Sequence, residues 1–367
     1  MQLKSNRLLP EVIVMSRTIN FGIIGCGVIS KTHIEQIHQI DKAVLVAVCD
    51  VDRERANAAA KLSGATAFYD VNEFLSQKDI DVVCILTPSG THANLSIMAA
   101  KAGKHVIVEK PIDISIMQSQ QMINICRGYG VKLSVISQHR FDYSTKEVKR
   151  HIDNHLFGNL VLCEAAVNWY RPQSYYDSGE WRGTWSLDGG GALMNQGVHT
   201  VDLMQYFMGP VESVFAHTTT SIHERIEVED VAVATLKFKS GALGSLVSTT
   251  AAFPGLTTRI EVFGEKGSAV IENDQLTHLY QKDTNNSSHH YQSNAINLAA
   301  PLRDSIGTGS NDPGSISGLS HRNQLIDMIE AIQENREPLV NGEAGLLPLK
   351  IIIAIYESAR TQRVISL

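Results

Sequence analysis

The sequence predicts an α/β protein: an N-terminal Rossmann domain, a doubly wound parallel sheet, followed by a C-terminal α+β domain with a large, mostly antiparallel open sheet. Three observations predict it. The first third alternates wholly apolar runs with helical patterns, a glycine-rich turn lies between the first run and the first helix, and after about residue 140 the apolar period changes to two over longer stretches.

Residues 18–25 (TINFGIIG) are a β-rich run ending in glycine, and a helical pattern follows over 28–39. A second apolar strand, 43–50, ends in an acid and leads into an alanine-rich helix at 53–63. A short strand at 67–68, a helix at 71–77 and a strand at 81–86 continue the pattern, then a helix at 93–102, a strand at 105–108, a helix at 115–127 and a strand at 131–137. Strands that are apolar throughout and separated by helices imply a parallel sheet covered on both faces. A helix is expected at 145–154 and alternating strands at 160–169, 211–220, 230–238, 244–251 and 258–264, with a glycine-introduced helix at 192–207. The run 283–318 is rich in Ser, Asn, Gly and Asp and reads as a long surface excursion before a final helix at 347–361. The expected division is a poorly ordered extension at 1–17, a dinucleotide-binding domain at 18–140, a substrate-binding and oligomerisation domain at 141–345, and a C-terminal helix and tail at 346–367.

Hydrophobic residues at 43% and charged ones at 19% suit two globular cores rather than a disordered chain. The formal net charge of -6 argues against a nucleic-acid partner, which needs a basic face. No apolar run reaches membrane-spanning length, and the patch Glu11-Val-Ile-Val-Met15 lacks the length and cleavage site of a signal peptide. Cys26, Cys49, Cys84, Cys126 and Cys163 are dispersed without metal-ligand spacing. They are expected as reduced, buried thiols in a cytoplasmic protein, and no metal site is expected.

Gly25-Cys26-Gly27-Val28-Ile29-Ser30 has the spacing G-x-G-x-x-S. Gly25 permits the tight turn, Gly27 leaves room for a pyrophosphate, and the amides opening the helix at Val28 and Ile29 face that charge. Asp50, at the end of the next strand, can take both ribose hydroxyls of NAD and repel the 2′-phosphate of NADP, so NAD is the expected cofactor. Glu109-Lys110-Pro111 follows the strand at 105–108, at the carboxyl edge where ligands bind in an open parallel sheet. Three glycines, Gly189 to Gly191, lead into a helix on which Asn195, His199 and Asp202 fall on one face, and these glycines are expected to let backbone approach a ligand. Trp169, Arg171, Tyr175, Tyr176, Trp181 and Arg182 combine stacking faces with guanidinium forks, the equipment expected for a sugar ring bearing a carboxylate or phosphate. Arg140 and His321 are further candidates.

Together with Thr87-Pro-Ser-Gly-Thr-His92, these motifs resemble the Gfo/Idh/MocA family of two-domain oxidoreductases, over residues 18–367. The resemblance implies that Lys110 polarises the substrate oxygen and His199 acts as acid/base, with Thr87, Pro88, His92 and Glu109 bordering the cofactor. It also implies self-association as a homodimer or homotetramer. Many members carry aspartate where this chain has Asn195, and an amide cannot raise the pKa of His199 as a carboxylate does. The Asn-x-x-x-His form resembles sugar-nucleotide 3-dehydrogenases, so hydride transfer at a pyranose C3 is the expected reaction. The alternatives are an inositol or cyclic polyol dehydrogenase and, in another class, a non-catalytic NAD-binding sugar sensor, which would have no need of Lys110 and His199.

Overall fold

The computed structural model describes residues 17–282, 296–299 and 318–367. The expected N-terminal extension and most of the excursion at 283–318 lie outside those residues. Strands β1 (Ile19–Ile24), β2 (Ala43–Cys49), β3 (Thr66–Phe68), β4 (Val82–Ile85), β5 (His105–Val108) and β6 (Leu133–Val135) alternate with helices α1 (Val28–His38), α2 (Arg53–Ser63), α3 (Val71–Leu75), α4 (His92–Lys101) and α5 (Ile116–Gly128). The strands pair in parallel in the order β3-β2-β1-β4-β5-β6. Every residue of β4 is buried, as continuous burial on two faces requires. Asp52, Asp70 and Ser115 accept backbone N–H bonds at the starts of α2, α3 and α5, each cap stabilising its helix by about 1 kcal/mol. Helix α1 has no such side-chain cap.

The second part contains α6 (Tyr143–Asp153), β7 (Leu160–Asn168), α7 (Gln173–Tyr176), α8 (Val198–Met208), β8 (Val211–Thr219), β9 (Val231–Phe238), β10 (Leu243–Thr249), β11 (Thr258–Gly264), β12 (Gly267–Glu272), β13 (Gln275–Gln281), α9 (Leu319–Gln333), α10 (Gly342–Thr361) and β14 (Ile365–Ser366). Its eight strands run β13-β12-β11-β7-β10-β9-β8-β14, antiparallel except for the β7–β10 pair. Strand β9 alternates buried and outward residues, so one sheet face packs on α8 and α10 and the other is left uncovered by the described residues.

The β12–β13 hairpin, the short α7 and β14, and α9 were not visible in the sequence pattern. Helix α9 also redraws the expected domain limits. Leu325, Met328 and Ile329 pack with Phe21, Ile23, Ile34 and Ile37 in the core of the parallel-sheet domain, although the helix falls within 141–345. Helix α10 crosses both parts. Its first turn lies against Ile123, Leu133 and Val135, the preceding residues add a bridge beyond β6, and its body packs on β8 and α8. The two sheets are thus joined through shared apolar contacts rather than by a linker alone.

Candidate active site

The strand order of the parallel sheet reverses between β1 and β4, and that crevice is where an open α/β sheet binds ligands. Gly25 leaves β1 there with φ +96°, and a Cβ on it would stand 2.7 Å from the Leu86 carbonyl group. Asp50 braces the turn: Cys26 N donates to Oδ2 at 2.7 Å and Asp52 N to Oδ1 at 2.9 Å. Among the described residues no atom lies within 4 Å of a Cβ placed on Gly27, so the space before the uncapped start of α1 is open. Open space, a helix start with no side-chain cap and an acid at the end of β2 fit a dinucleotide, with pyrophosphate at α1 and ribose at Asp50. Arg53 lies over the Tyr69 ring at 4.4 Å. In the Asp50→Asn variant NADH should bind about tenfold more weakly, with a narrower NADH-over-NADPH preference, in a fluorescence titration. Unchanged affinities would remove Asp50 from the cofactor site.

A cleft of about 1720 Å³ runs from this crevice into the second part of the chain. Gly25, Gly27, Val28, Ile29, Asp50, Thr87 and Pro88 line its nucleotide end, and Glu109, Lys110, Asn195 and His199 line its middle. Lys110 sits at the end of β5, before a cis bond to Pro111. Its Nζ donates to the Asn195 carbonyl oxygen at 2.9 Å, and Asn195 Oδ1 lies 3.5 Å away. Asn195 Nδ2 in turn donates to Asp188 Oδ1 at 2.8 Å. Burial lowers the Lys110 pKa; Glu109 and Asp188 oppose that, while Arg182 and Arg171 add to it. Glu109 is buried, accepts from His33 Nε2 at 3.0 Å and from Lys110 N at 3.1 Å, and has His321 Nε2 at 3.9 Å. Burial pushes its carboxyl up, but His33, His321 and Lys110 outweigh burial and hold it at about 2.

His199 opens α8 directly after a π-helical turn at Ala192–Gly197. The wider turn keeps Asn195 and His199 facing the cleft but breaks the expected three-residue face. Asp202 instead turns inward, where Arg140 holds it through Nη2 at 2.6 Å and Nε at 2.8 Å and Ser137 adds its hydroxyl. The glycines before the π turn answer to protein packing rather than to a ligand. A Cβ on Gly191 would collide with the Glu229 carbonyl oxygen, while the Glu229 carboxylate accepts from Gly191 N and Leu193 N at 3.0 and 2.8 Å. The His199 ring lies 5.0 Å from that of His139 with the planes at 82°. Burial first, then His139, Lys110 and His321, hold its pKa well below 6.5.

Beyond this centre stands a wall of aromatic and guanidinium groups. Arg182 lies 4.3 Å from the Tyr175 ring and 4.5 Å from that of Trp181, and Arg171 lies 4.9 Å from Trp169 and 5.5 Å from Tyr175. Arg182 Nη1 and Gln196 Nε2 donate to the Tyr175 hydroxyl at 2.7 and 3.0 Å. Among the described residues, Arg182 has no carboxylate in salt-bridge contact.

Three expected contacts are placed elsewhere. Arg140 is buried and committed to Asp202, a pair whose rupture costs about 3–5 kcal/mol, so its guanidinium is unavailable to a substrate. Tyr176 is buried with its hydroxyl 2.8 Å from Thr250 Oγ1, and its neighbour Tyr175 takes the place in the cleft. His92, expected beside the cofactor, is 1% exposed with its ring nitrogens 2.8 Å from the Thr87 and Pro111 carbonyls, where it ties two turns together. Sequence reasoning missed His139, Asp142, Asp274, Gln138 and Gln196, all of which line the cleft. Gln138 and His139 follow β6 at the same sheet edge as Lys110, and that position was the available signal.

Residues 19–137 match the sequence model of an oxidoreductase family with an NAD-binding Rossmann fold, and residues 145–270 match the GFO/IDH/MocA C-terminal domain. The chain is 29% identical over 357 residues to the myo-inositol 2-dehydrogenase of Thermotoga maritima, covering 95% of this chain and 98% of that protein. It is 25% identical to the D-glucoside 3-dehydrogenase of Escherichia coli, over 94% and 97% of the two chains. The crystal structure of the WlbA dehydrogenase from Bordetella pertussis, in complex with NADH and UDP-GlcNAcA, is similar with a TM-score of 0.83 and 36% identity, covering 96% of this chain and 98% of that one.

Proposed function

Because the chain belongs to the Gfo/Idh/MocA family of NAD-binding oxidoreductases, we propose that it oxidises the C3 hydroxyl of an acidic, nucleotide-linked pyranose. The observation that carries this reading is the meeting of Lys110, from the parallel-sheet edge, with Asn195 and His199, from the second part of the chain, in the cleft that also holds the Gly25–Gly27 turn. NAD supplies the hydride acceptor when bound between that turn and Asp50. Lys110 donates a hydrogen bond to the substrate oxygen and stabilises the negative charge that grows there as hydride leaves the carbinol carbon. The hydroxyl proton passes to a ring nitrogen of His199, which is unprotonated at neutral pH and therefore able to take it.

The acidic handle is read from charge. Arg182 and Arg171 are close enough to Lys110 to disfavour its charge, and Arg182 is without a carboxylate partner among the described residues, so an anion in the cleft offsets that repulsion. The relative holding UDP-GlcNAcA supports this substrate class. NAD reduction would be followed with UDP-linked hexuronic acids, their neutral hexose counterparts and myo-inositol. Preferred turnover of the acidic compounds is expected, and preferred turnover of myo-inositol would instead establish the polyol reading. Arg182→Gln should raise KM for the acidic sugar about tenfold and leave that for its neutral counterpart unchanged; equal increases would remove the anion assignment.

Self-association through the uncovered face of the eight-stranded sheet belongs to the same reading. So does a cytoplasmic location, supported by five cysteines that are all buried free thiols. No described helix is long and apolar enough to cross a membrane.

A further inference from the structure

We propose that the Asp142–His139–Asp274 cluster is a charge device for the proton acceptor: a cationic ring, fixed edge to face against His199, that disfavours a second positive charge there. The inference rests on the reading of His199 given above and deepens it. His139 follows β6 on a short 3-10 turn. Its Nδ1 lies 2.8 Å from Asp142 Oδ2 and 3.2 Å from Asp274 Oδ1. The two acids come from different elements. Asp142 occupies the N-cap position of α6, yet its carboxylate makes no cap bond; it takes His139 and the Ser320 hydroxyl instead. Asp274 lies in the hairpin turn between β12 and β13, where Asn273 and Asp274 have φ of 49° and 64°, values suited to a tight two-residue turn. The hairpin thus delivers a carboxylate to a ring that belongs to the edge of the other sheet.

Both acids meet His139 through its Nδ1, and the ring itself stands edge to face against His199. Burial opposes the charge on His139, but Asp274, Asp142 and Asp202 outweigh it and raise its pKa to about 9. Among the described residues, the other charged or titratable groups facing His199 are Lys110 from the end of β5 and His321 from α9; Asp202, on the helix of His199 itself, is neutralised by Arg140. His321 is held at about 4, so at neutral pH the cations beside His199 are Lys110 and His139. His139 is a positioning residue here: it acts through His199 and takes no part in hydride transfer.

The test combines NMR titration of protein labelled at histidine Cε1 with kcat–pH profiles for sugar oxidation in wild type, His139→Gln and His139→Lys. In the wild type the His139 resonance should stay protonated through pH 8, while His199 should stay neutral far below its ordinary range. His139→Gln should move the His199 titration and the acid limb of kcat upward together by about one pH unit. His139→Lys, which keeps the charge, should leave both near the wild-type position. A neutral His139 at pH 7, or an unmoved His199 titration in His139→Gln, would overturn the inference. So would a rise in KM with an unmoved acid limb, because His139 would then be a substrate contact. Failure of the underlying reading looks different: kcat–pH profiles would ignore His139 while the NMR titration of His199 still moved.

Discussion

Replacing Lys110 with methionine is expected to lower kcat for sugar oxidation between about 100- and 1000-fold while NADH continues to bind. The size follows from the position of the ammonium. It is half-buried at the sheet edge and already oriented by the Asn195 carbonyl at 2.9 Å, so little reorganisation is needed when charge develops on the substrate oxygen. Its pKa is lowered by burial, which brings the ammonium closer in acidity to the oxygen it serves. Methionine keeps the length and packing of the stem but donates no hydrogen bond. Steady-state kcat and an NADH fluorescence titration read the two effects separately. Loss of NADH binding in step with kcat would make Lys110 a cofactor anchor, and unchanged turnover would remove it from the chemistry.

His199→Asn should reduce kcat between about 100- and 10,000-fold, with the acid limb of the pH profile abolished over the accessible range. The sign follows from the unprotonated form being the one that accepts a proton. A histidine in its ordinary range would lose activity as pH falls through about 6.5. Here burial and the neighbouring cations depress the pKa well below that value, so wild-type oxidation should stay level from pH 8 to 6.5 and decline only below. In the reverse direction the protonated form is required and is scarce at neutral pH, so reduction should accelerate as pH falls over the same interval. Initial rates in both directions, measured on wild type and variant, check this. A wild-type acid limb centred near 6.5, or a variant with the wild-type profile, would reassign the proton acceptor.

Legibility in the sequence differed from residue to residue. Gly25, Gly27, Asp50 and Lys110 were readable because each sits at a strand end or strand-to-helix turn, and local chain geometry sets where such residues point. Asn195 and His199 were readable as cleft residues, but their relation to Asp202 was not. The helical repeat that predicted a common face does not hold through the π turn, which is clamped by Glu229 from the loop before β9. Arg140 and Tyr176 were misplaced because arginine and tyrosine serve equally well as ligand contacts and as satisfied interior groups. The difference lies in whether Asp202 or Thr250 happens to face them. Asp274 could not be found while the β12–β13 hairpin itself went unrecognised.

The sequence by itself determined the parallel-sheet domain, its glycine-rich dinucleotide turn and the place of Lys110 at a strand end. Periodicity and turn chemistry act over a few residues and need no partner. Only the tertiary structure decided which candidate side chains share a cleft, which are neutralised in the interior, and that a hairpin acid meets a sheet-edge histidine beside His199. Those outcomes depend on burial and on contacts between residues far apart in the chain, and the energy of a charged group is set by what surrounds it rather than by its neighbours in sequence.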